Sequence, residues 1–331
     1  MKAVVLVGGF GTRLRPLTLT TPKPMLPIGR VPMVERIVQR LVAGGVQEVV
    51  LALGFRTEAF QEAYPDGRCA GARLVYATEP EPLDTAGAVA FAARYVGIHD
   101  TFVVVNGDIL TDLDVAAMVA AHRASGARGT IHLTEVEDPS AFGVADMDGD
   151  RIARFVEKPA RHEAPSNLIN AGTYVLEASV LDLVPVNVRV SIEREVFPTL
   201  AAEGSLVGYC TQDYWLDTGR PEQYLQANTD LVAGRAGVPA IAAVPASAHV
   251  DPSALVTTSV LGDRCGIGAR TSLTGCVVLD DVRVGTDSVV VDSILGRGAR
   301  VGSGVSLSGV VLGDEAVVHD GEQLVDERRP S

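Results

Sequence analysis

Between Leu261 and Leu312, apolar side chains recur at a spacing near six: Ile267, Leu273 and Leu279, then Val284 and Val290, then Leu295, Val301 and Leu307. Glycine follows the apolar position in Leu261-Gly262, Ile267-Gly268, Val284-Gly285, Leu295-Gly296, Val301-Gly302 and Leu312-Gly313. A helix does not tolerate so much glycine and β-branched residue. A β-sandwich would show alternation instead. A six-residue period marks a parallel β-helix, in which each hexad forms one short side of a triangular coil. Residues 249–318 at ~18 per coil predict roughly four coils. The charged stretch 319–331 is expected to be a frayed tail.

The N-terminal two thirds read differently. Ala3–Val7 is a continuous apolar run ending in Gly8-Gly9, as a strand buried on both faces would be. Helix-compatible stretches over Val34–Ala43, Thr85–Tyr95 and Leu113–Ser125 alternate with apolar strands over Glu48–Leu53, Arg73–Ala77, Thr101–Asn106 and Gly129–Val136. That alternation predicts an α/β domain around a mostly parallel sheet. Short strands at Gly143–Asp146, Ile152–Glu157 and Asn170–Leu176 suggest a β-rich insertion or second half that lies over the sheet. The expected organisation is a catalytic domain over 1–232, a linker over 233–248 containing Ala233-Gly234-Arg235-Ala236-Gly237-Val238-Pro239, then the β-helix.

Composition narrows the function. The net charge is −13, which argues against wholesale phosphate neutralisation, so neither nucleic acid nor a membrane surface is an expected partner. No apolar run approaches a membrane span, and the N-terminal run is too short for a signal peptide, so a soluble cytoplasmic protein is expected. Four scattered cysteines (Cys69, Cys210, Cys265, Cys276) and six histidines without metal spacing predict neither disulfides nor a zinc site. Within this acidic chain, residues 1–40 hold seven basic side chains and a single acid, Glu35. A local basic field points to a small anionic substrate. Of 28 basic residues only three are lysine: Lys2, Lys23 and Lys158.

Gly8-Gly9-Phe10-Gly11-Thr12-Arg13-Leu14-Arg15-Pro16 follows the first strand directly. Clustered glycines let backbone N–H groups approach a phosphate chain. No Gly-Lys-Ser/Thr closes the run, and Leu14 stands where a dinucleotide fingerprint needs its third glycine.

Together with Pro22-Lys23-Pro24-Met25, this run resembles the signature of the sugar-nucleotide pyrophosphorylases. Further motifs extend the resemblance along the chain: Asn106-Gly107-Asp108, Glu157-Lys158-Pro159, Asn170-Ala171-Gly172 and Trp215-Leu216-Asp217-Thr218-Gly219. Ser191–Pro198 and the hexads look most like the mannose-1-phosphate guanylyltransferase branch. The resemblance implies a Rossmann-like nucleotidyltransferase domain followed by a left-handed β-helix. It implies a reaction in which a sugar 1-phosphate attacks the α-phosphorus of a nucleoside triphosphate and pyrophosphate leaves. The nucleophile is already an anion, so catalysis reduces to positioning and charge neutralisation.

On this reading Asp108 and Asp217 are the Mg²⁺ ligands, since hard oxygen donors suit that cation. Arg13 and Lys23 are the catalytic cations. Arg13 grips the β- and γ-phosphates, and Lys23 lies against the reacting groups. Gly8, Gly9, Gly11 and Thr12 line the triphosphate. Lys158 holds the sugar phosphate, Glu157 and Asn170 bond sugar hydroxyls, and Gly143 lets its backbone approach the sugar. The base-reading loop is Glu79–Gly87, with Glu79, Glu81, Thr85 and Gly87 as nucleotide contacts. A carboxylate matches the N–H donors of guanine. No Gln or Asn, which would suit uracil or thymine better, falls between Glu62 and Asn106. GTP and mannose 1-phosphate are therefore the expected substrates. The guanylyltransferase pattern has glycine where this chain has Asp84, which leaves another nucleotide, a modified sugar or a cyclitol phosphate open. A homo-oligomer is expected. Two other functions fit less well. An acyltransferase needs a histidine within the coils, whereas only His249 and His319 flank them. A silent regulatory subunit should have lost a charged residue, whereas Arg13, Lys23, Asp108, Lys158 and Asp217 are all present.

Overall fold

The computed structural model describes residues 1–54, 57–235, 237 and 240–331. Ala236, Val238 and Pro239 of the expected linker lie outside the described residues. The chain forms two compact units. One comprises Met1–Gly9 and Val34–Trp215, and the other comprises Phe10–Met33 and Leu216–Ser331.

The first unit is built on a ten-stranded mixed sheet. Its centre is parallel: Lys2–Leu6 pairs with Glu48–Leu53 on one side and Phe102–Asn106 on the other, and Glu48–Leu53 pairs with Ala72–Thr78. Ala3, Val4 and Val5 are fully buried, as an unbroken apolar run between two helical layers requires. The parallel strands end at Leu6, Leu53, Thr78 and Asn106, so Gly8, Glu79 and Asp108 all emerge at one edge. In open α/β sheets, that carboxyl edge is where ligands bind.

The segment expected to lie over the sheet is instead part of it. Leu168–Leu176 runs antiparallel between Phe102–Asn106 and Gly129–Glu135. Gly143–Asp148 pairs antiparallel with Arg151–Glu157 and extends the same sheet. A strand over Leu206–Cys210, which no sequence pattern announced, runs parallel to Gly129–Glu135. Phe155, Tyr174 and Ile131 on these strands pack with Phe197 and Leu200 of the helix Phe197–Ala202; the Phe155 and Tyr174 rings both meet Phe197 edge to face, with centroids 5.3 and 5.0 Å away.

In the second unit, three parallel sheets of five strands each stack around a common interior, the arrangement of a left-handed β-helix. Val260, Val277, Ile294, Val311 and Arg328 pair in succession, 17 residues apart. The coil is therefore a residue shorter than three hexads, and each face has five strands where roughly four coils were expected. At the corners, buried hydroxyls serve the next coil: Ser259 Oγ accepts from Cys276 N at 2.9 Å and Ser293 Oγ from Val310 N at 3.0 Å. Those amides would otherwise be orphaned in the interior.

The expectation of a frayed tail is corrected. Gln323–Val325 pairs with Ser306–Ser308, and Arg328–Arg329 pairs with Val311–Leu312. Leu324 closes the apolar interior at 8% exposure, and Arg329 bonds both Glu322 (2.9 Å) and Glu327 (3.3 Å). Three of the charges that suggested fraying, Glu322, Glu327 and Arg329, are paired with one another on the last coil.

Candidate active site

The predicted site residues fall into two groups, one in each unit. In the second unit, Gly11 adopts φ 59° and opens a short turn, Thr12–Leu14, in which Leu14 N–H donates to Gly11 O at 3.0 Å. A Cβ on Gly11 would also lie 3.0 Å from Lys23 Cβ and 3.0 Å from Thr18 Cγ2. Glycine is thus required by both the left-handed backbone and the space. Arg13 is exposed on this turn, and Thr12 is exposed beside it. Lys23 and Asp217 come together around Gly219. A Cβ there would sit 2.8 Å from Asp217 Oδ1 and 3.5 Å from Lys23 Nζ. Gly219 N–H donates to Asp217 Oδ1 at 2.7 Å and orients that carboxylate.

In the first unit, Gly8 packs against backbone: a Cβ would lie 3.2 Å from Gly54 N, whereas Gly9 faces open space. Gly143, Glu157 and Lys158 meet at the far end of the sheet, where Gly143 pairs with Glu157. Lys158 Nζ is 3.0 Å from Glu157 Oε1. Lys158 has φ 50°, and its N–H donates to Phe142 O at 2.9 Å. The left-handed turn at Lys158 ends the strand and turns the ammonium back on its neighbour. Phe142 in turn meets the ring of Trp215 edge-on at 5.6 Å, and Trp215 Nε1 donates to Ala171 O at 2.8 Å.

Asn170 is held on both ends. Its Oδ1 accepts from Gly172 N at 2.9 Å, and its Nδ2 donates to Tyr174 OH at 3.0 Å. Tyr174 is wholly buried, and burial drives its phenol pKa far up, while its contacts with Asn170 and Asn106 oppose the shift. Tyr174 thereby ties Asn170 to Asn106, two residues before Asp108. No motif signalled it. A lone tyrosine inside an apolar strand, four residues beyond the Asn, was the only trace in the sequence.

The loop expected to read the base is already engaged in internal hydrogen bonds. Glu79 is buried, its Oε2 accepts from Leu83 N at 2.9 Å, and burial raises its pKa. Thr85 Oγ1 donates to Glu193 Oε2 at 2.7 Å and accepts from Ile192 N at 2.8 Å. Gly87 makes room for the 188–190 segment, since a Cβ would lie 2.8 Å from Val188 O. Glu81 is exposed. Asp84 has φ 62°, the left-handed backbone that glycine adopts most freely. Asp tolerates that region better than most residues, and its carboxylate accepts from Thr85 N at 2.8 Å.

Two family patterns match this chain: the nucleotidyl transferase over residues 2–234 and the GMPPB C-terminal domain over residues 240–328. The chain belongs to the nucleotidyl transferase family. A mannose-1-phosphate guanylyltransferase of Mycobacterium tuberculosis is 41% identical over 85% of this chain and 80% of its own length. A mannose-1-phosphate guanyltransferase of Schizosaccharomyces pombe is 44% identical over 68% of this chain and 62% of its own. A probable mannose-1-phosphate guanylyltransferase of Oryza sativa subsp. japonica is 38% identical over 87% and 81%. Among solved structures, a putative glucose-1-phosphate thymidylyltransferase from Bacillus anthracis, in complex with a sucrose, superposes with TM-score 0.65 at 25% identity. That match covers 72% of this chain and 96% of the other.

This nucleotidyltransferase acts on small molecules, and enzymes of its family generally use a divalent metal. Among the described residues no group of three or more His, Cys, Asp or Glu side chains could hold a metal ion alone. A cation here would draw part of its shell from substrate phosphates and water, the habit of Mg²⁺. The carboxylates of Asp108 and Asp217 have the hard oxygens such a cation takes. Among the described residues no helix is long and apolar enough to cross a membrane.

Proposed function

We propose that this nucleotidyltransferase joins GTP to mannose 1-phosphate and releases pyrophosphate. One phosphate oxygen of the sugar 1-phosphate bonds to the α-phosphorus as the bond to the departing pyrophosphate breaks. The nucleophile carries its own charge, so no protein base is needed. Arg13 and the backbone around Gly8, Gly9 and Gly11 hold the triphosphate. Lys23 offsets charge at the reacting phosphates. Lys158 binds the sugar phosphate while Glu157 and Asn170 bond its hydroxyls. Asp108 and Asp217 are the residues that would hold Mg²⁺. When bound, the ion supplies Lewis-acid stabilisation of the leaving pyrophosphate. The assembled enzyme is proposed to be a homo-oligomer.

The observation that carries the base assignment is the loop 79–87. It presents an exposed carboxylate, Glu81, and has no amide side chain to read a uracil or thymine edge. Relatives from a bacterium, a fungus and a plant, all bearing the mannose and guanyl names, support the same substrates. The test is pyrophosphate release from a matrix of five nucleoside triphosphates against several sugar 1-phosphates, with and without Mg²⁺. GTP with mannose 1-phosphate should lead, and preference for UTP or dTTP would overturn the base assignment. Asp108→Asn and Asp217→Asn should each abolish most turnover and leave the melting temperature intact. Lys158→Arg should slow turnover at least tenfold although charge is conserved, because a wide fork replaces a point charge.

A further inference from the structure

The turn that presents Arg13 is supported by the far end of the chain. Arg328 Nη1 donates to the backbone carbonyl of Arg13 at 2.8 Å. The two amides following Arg13, those of Leu14 and Arg15, donate to Gly11 O and Thr12 O and not to this carbonyl. Two more contacts join the same pieces. Thr20 Oγ1 donates to Asp314 Oδ2 at 2.7 Å, and Gly313 packs so closely that a Cβ there would lie 3.2 Å from Pro16 Cβ. Further along the loop, Gly29 N–H donates to Asn228 Oδ1 at 2.7 Å, and Arg30 Nη1 donates to Ala242 O at 3.0 Å. The whole segment 10–33 is thus packed with the C-terminal unit, to which its own contacts assign it.

Arg328 is not a mobile terminus. It lies on the last strand, in register with Val311, and Val311 N–H donates to Glu327 O at 2.9 Å. Its neighbour Arg329 is clamped by Glu322 and Glu327. The strand fixes the backbone of Arg328, and a charge-assisted bond from its guanidinium ties the Arg13 turn to that strand.

We propose that the final coil of the β-helix is part of the nucleotide-binding apparatus, with Arg328 a positioning residue that holds the Arg13 turn in its phosphate-gripping conformation. The β-helix is then more than a packing or assembly module. This inference rests on the nucleotidyltransferase reading, because it is Arg13's role there that the contact serves. The turn acts on the nucleotide, so its loosening should be felt by one substrate and not the other.

The test uses the full chain. Arg328→Ala should raise KM for GTP about three- to tenfold, the loss of one charge-assisted hydrogen bond at a solvent-exposed site. KM for the sugar 1-phosphate and the melting temperature should stay as in the parent. Arg328→Lys should recover part of the effect, since an ammonium also donates to a carbonyl. The double variant Thr20→Val with Asp314→Ala should loosen the same loop without touching Arg328 and move KM for GTP in the same direction. Calorimetric binding of GTP separates affinity from turnover. An unchanged GTP affinity in Arg328→Ala and in the double variant would overturn the brace while leaving the enzyme reading standing. Parallel changes in both KM values with a lowered melting temperature would reduce Arg328 to general stability and also overturn it. Absence of GTP binding and turnover in the parent chain would sink the underlying reading itself.

Discussion

Gly143→Ala is a one-methyl perturbation whose consequence can be worked from distances. The added Cβ would lie 2.3 Å from Phe155 Cζ, 2.8 Å from Phe155 Cε1 and 3.0 Å from Glu157 Oε2. Carbon atoms pack best at roughly 3.5–4.0 Å, so the overlap exceeds an ångström. Phe155 has nowhere to go: its ring edge rests on Phe197 at 5.3 Å, and Phe197, itself fully buried, rests on Tyr174 at 5.0 Å. Overpacking of this kind costs about 1–3 kcal/mol. At roughly 2–4 °C per kcal/mol for a unit of this size, the melting temperature should fall by about 5 °C. Glu157 is the softer neighbour and will be pushed off its 3.0 Å contact with Lys158. KM for the sugar 1-phosphate should therefore rise tenfold or more with KM for GTP little changed. Thermal melts and steady-state kinetics with each substrate varied decide it. A variant with the parent's melting temperature and sugar-phosphate KM would refute the packing argument, and a defect confined to GTP would refute the placement of the sugar site.

Asp84→Gly should leave the nucleotide preference unchanged and alter stability by less than about 1 kcal/mol, because glycine accepts φ 62° freely. Asp84→Val, β-branched at the same backbone, should cost about 1–2 kcal/mol. Competition between GTP and dTTP together with urea unfolding measures both, and a switch of base in the glycine variant would show that the carboxylate reads the base. His132 supplies a pH signature. Burial, opposed by Asp213, lowers its pKa to about 4 from the ordinary 6.5. The folded state thus holds fewer protons than the unfolded between those values. Its stabilising contribution is complete above about pH 6.5 and is lost as pH falls toward 4, on the order of 3 kcal/mol in all. His132→Gln should flatten that part of the stability curve, and an unchanged difference between pH 7 and pH 4.5 would show that His132 is not its source.

Much of this is legible in the sequence. Apolar runs such as Ala3–Val7 and Glu48–Leu53 are strands because nothing else buries both faces of so short a segment. The hexads require a solenoid because glycine at each corner and one inward apolar side chain per side fit no other packing. Lys23 and Lys158, proposed here to handle phosphate, stood out as two of only three lysines in the chain. Local chemistry was readable because its signal is local. What was misread depended on distant partners. The charged stretch 319–331 looked unable to fold, but its acids and arginines pair only once a coil brings Glu322, Glu327 and Arg329 together. Asp84 stands where glycine was expected, and its left-handed backbone became visible only in the structure. The hairpin strands of 143–157 looked separate because antiparallel pairing with the sheet leaves no mark in the hairpin's own sequence.

The division follows from what each kind of interaction needs. Element type, the family signature and the identity of the charged groups depend on residues within one strand, turn or coil, and the sequence by itself determined them. The tertiary structure decided which residues share a support: Phe155 under Gly143, Tyr174 between Asn106 and Asn170, Arg328 on the carbonyl of Arg13. Arg13 and Arg328 are 315 positions apart in the chain. No periodicity or spacing rule spans that distance, and a single hydrogen bond between them exists only because the last coil and the first loop fold into one unit.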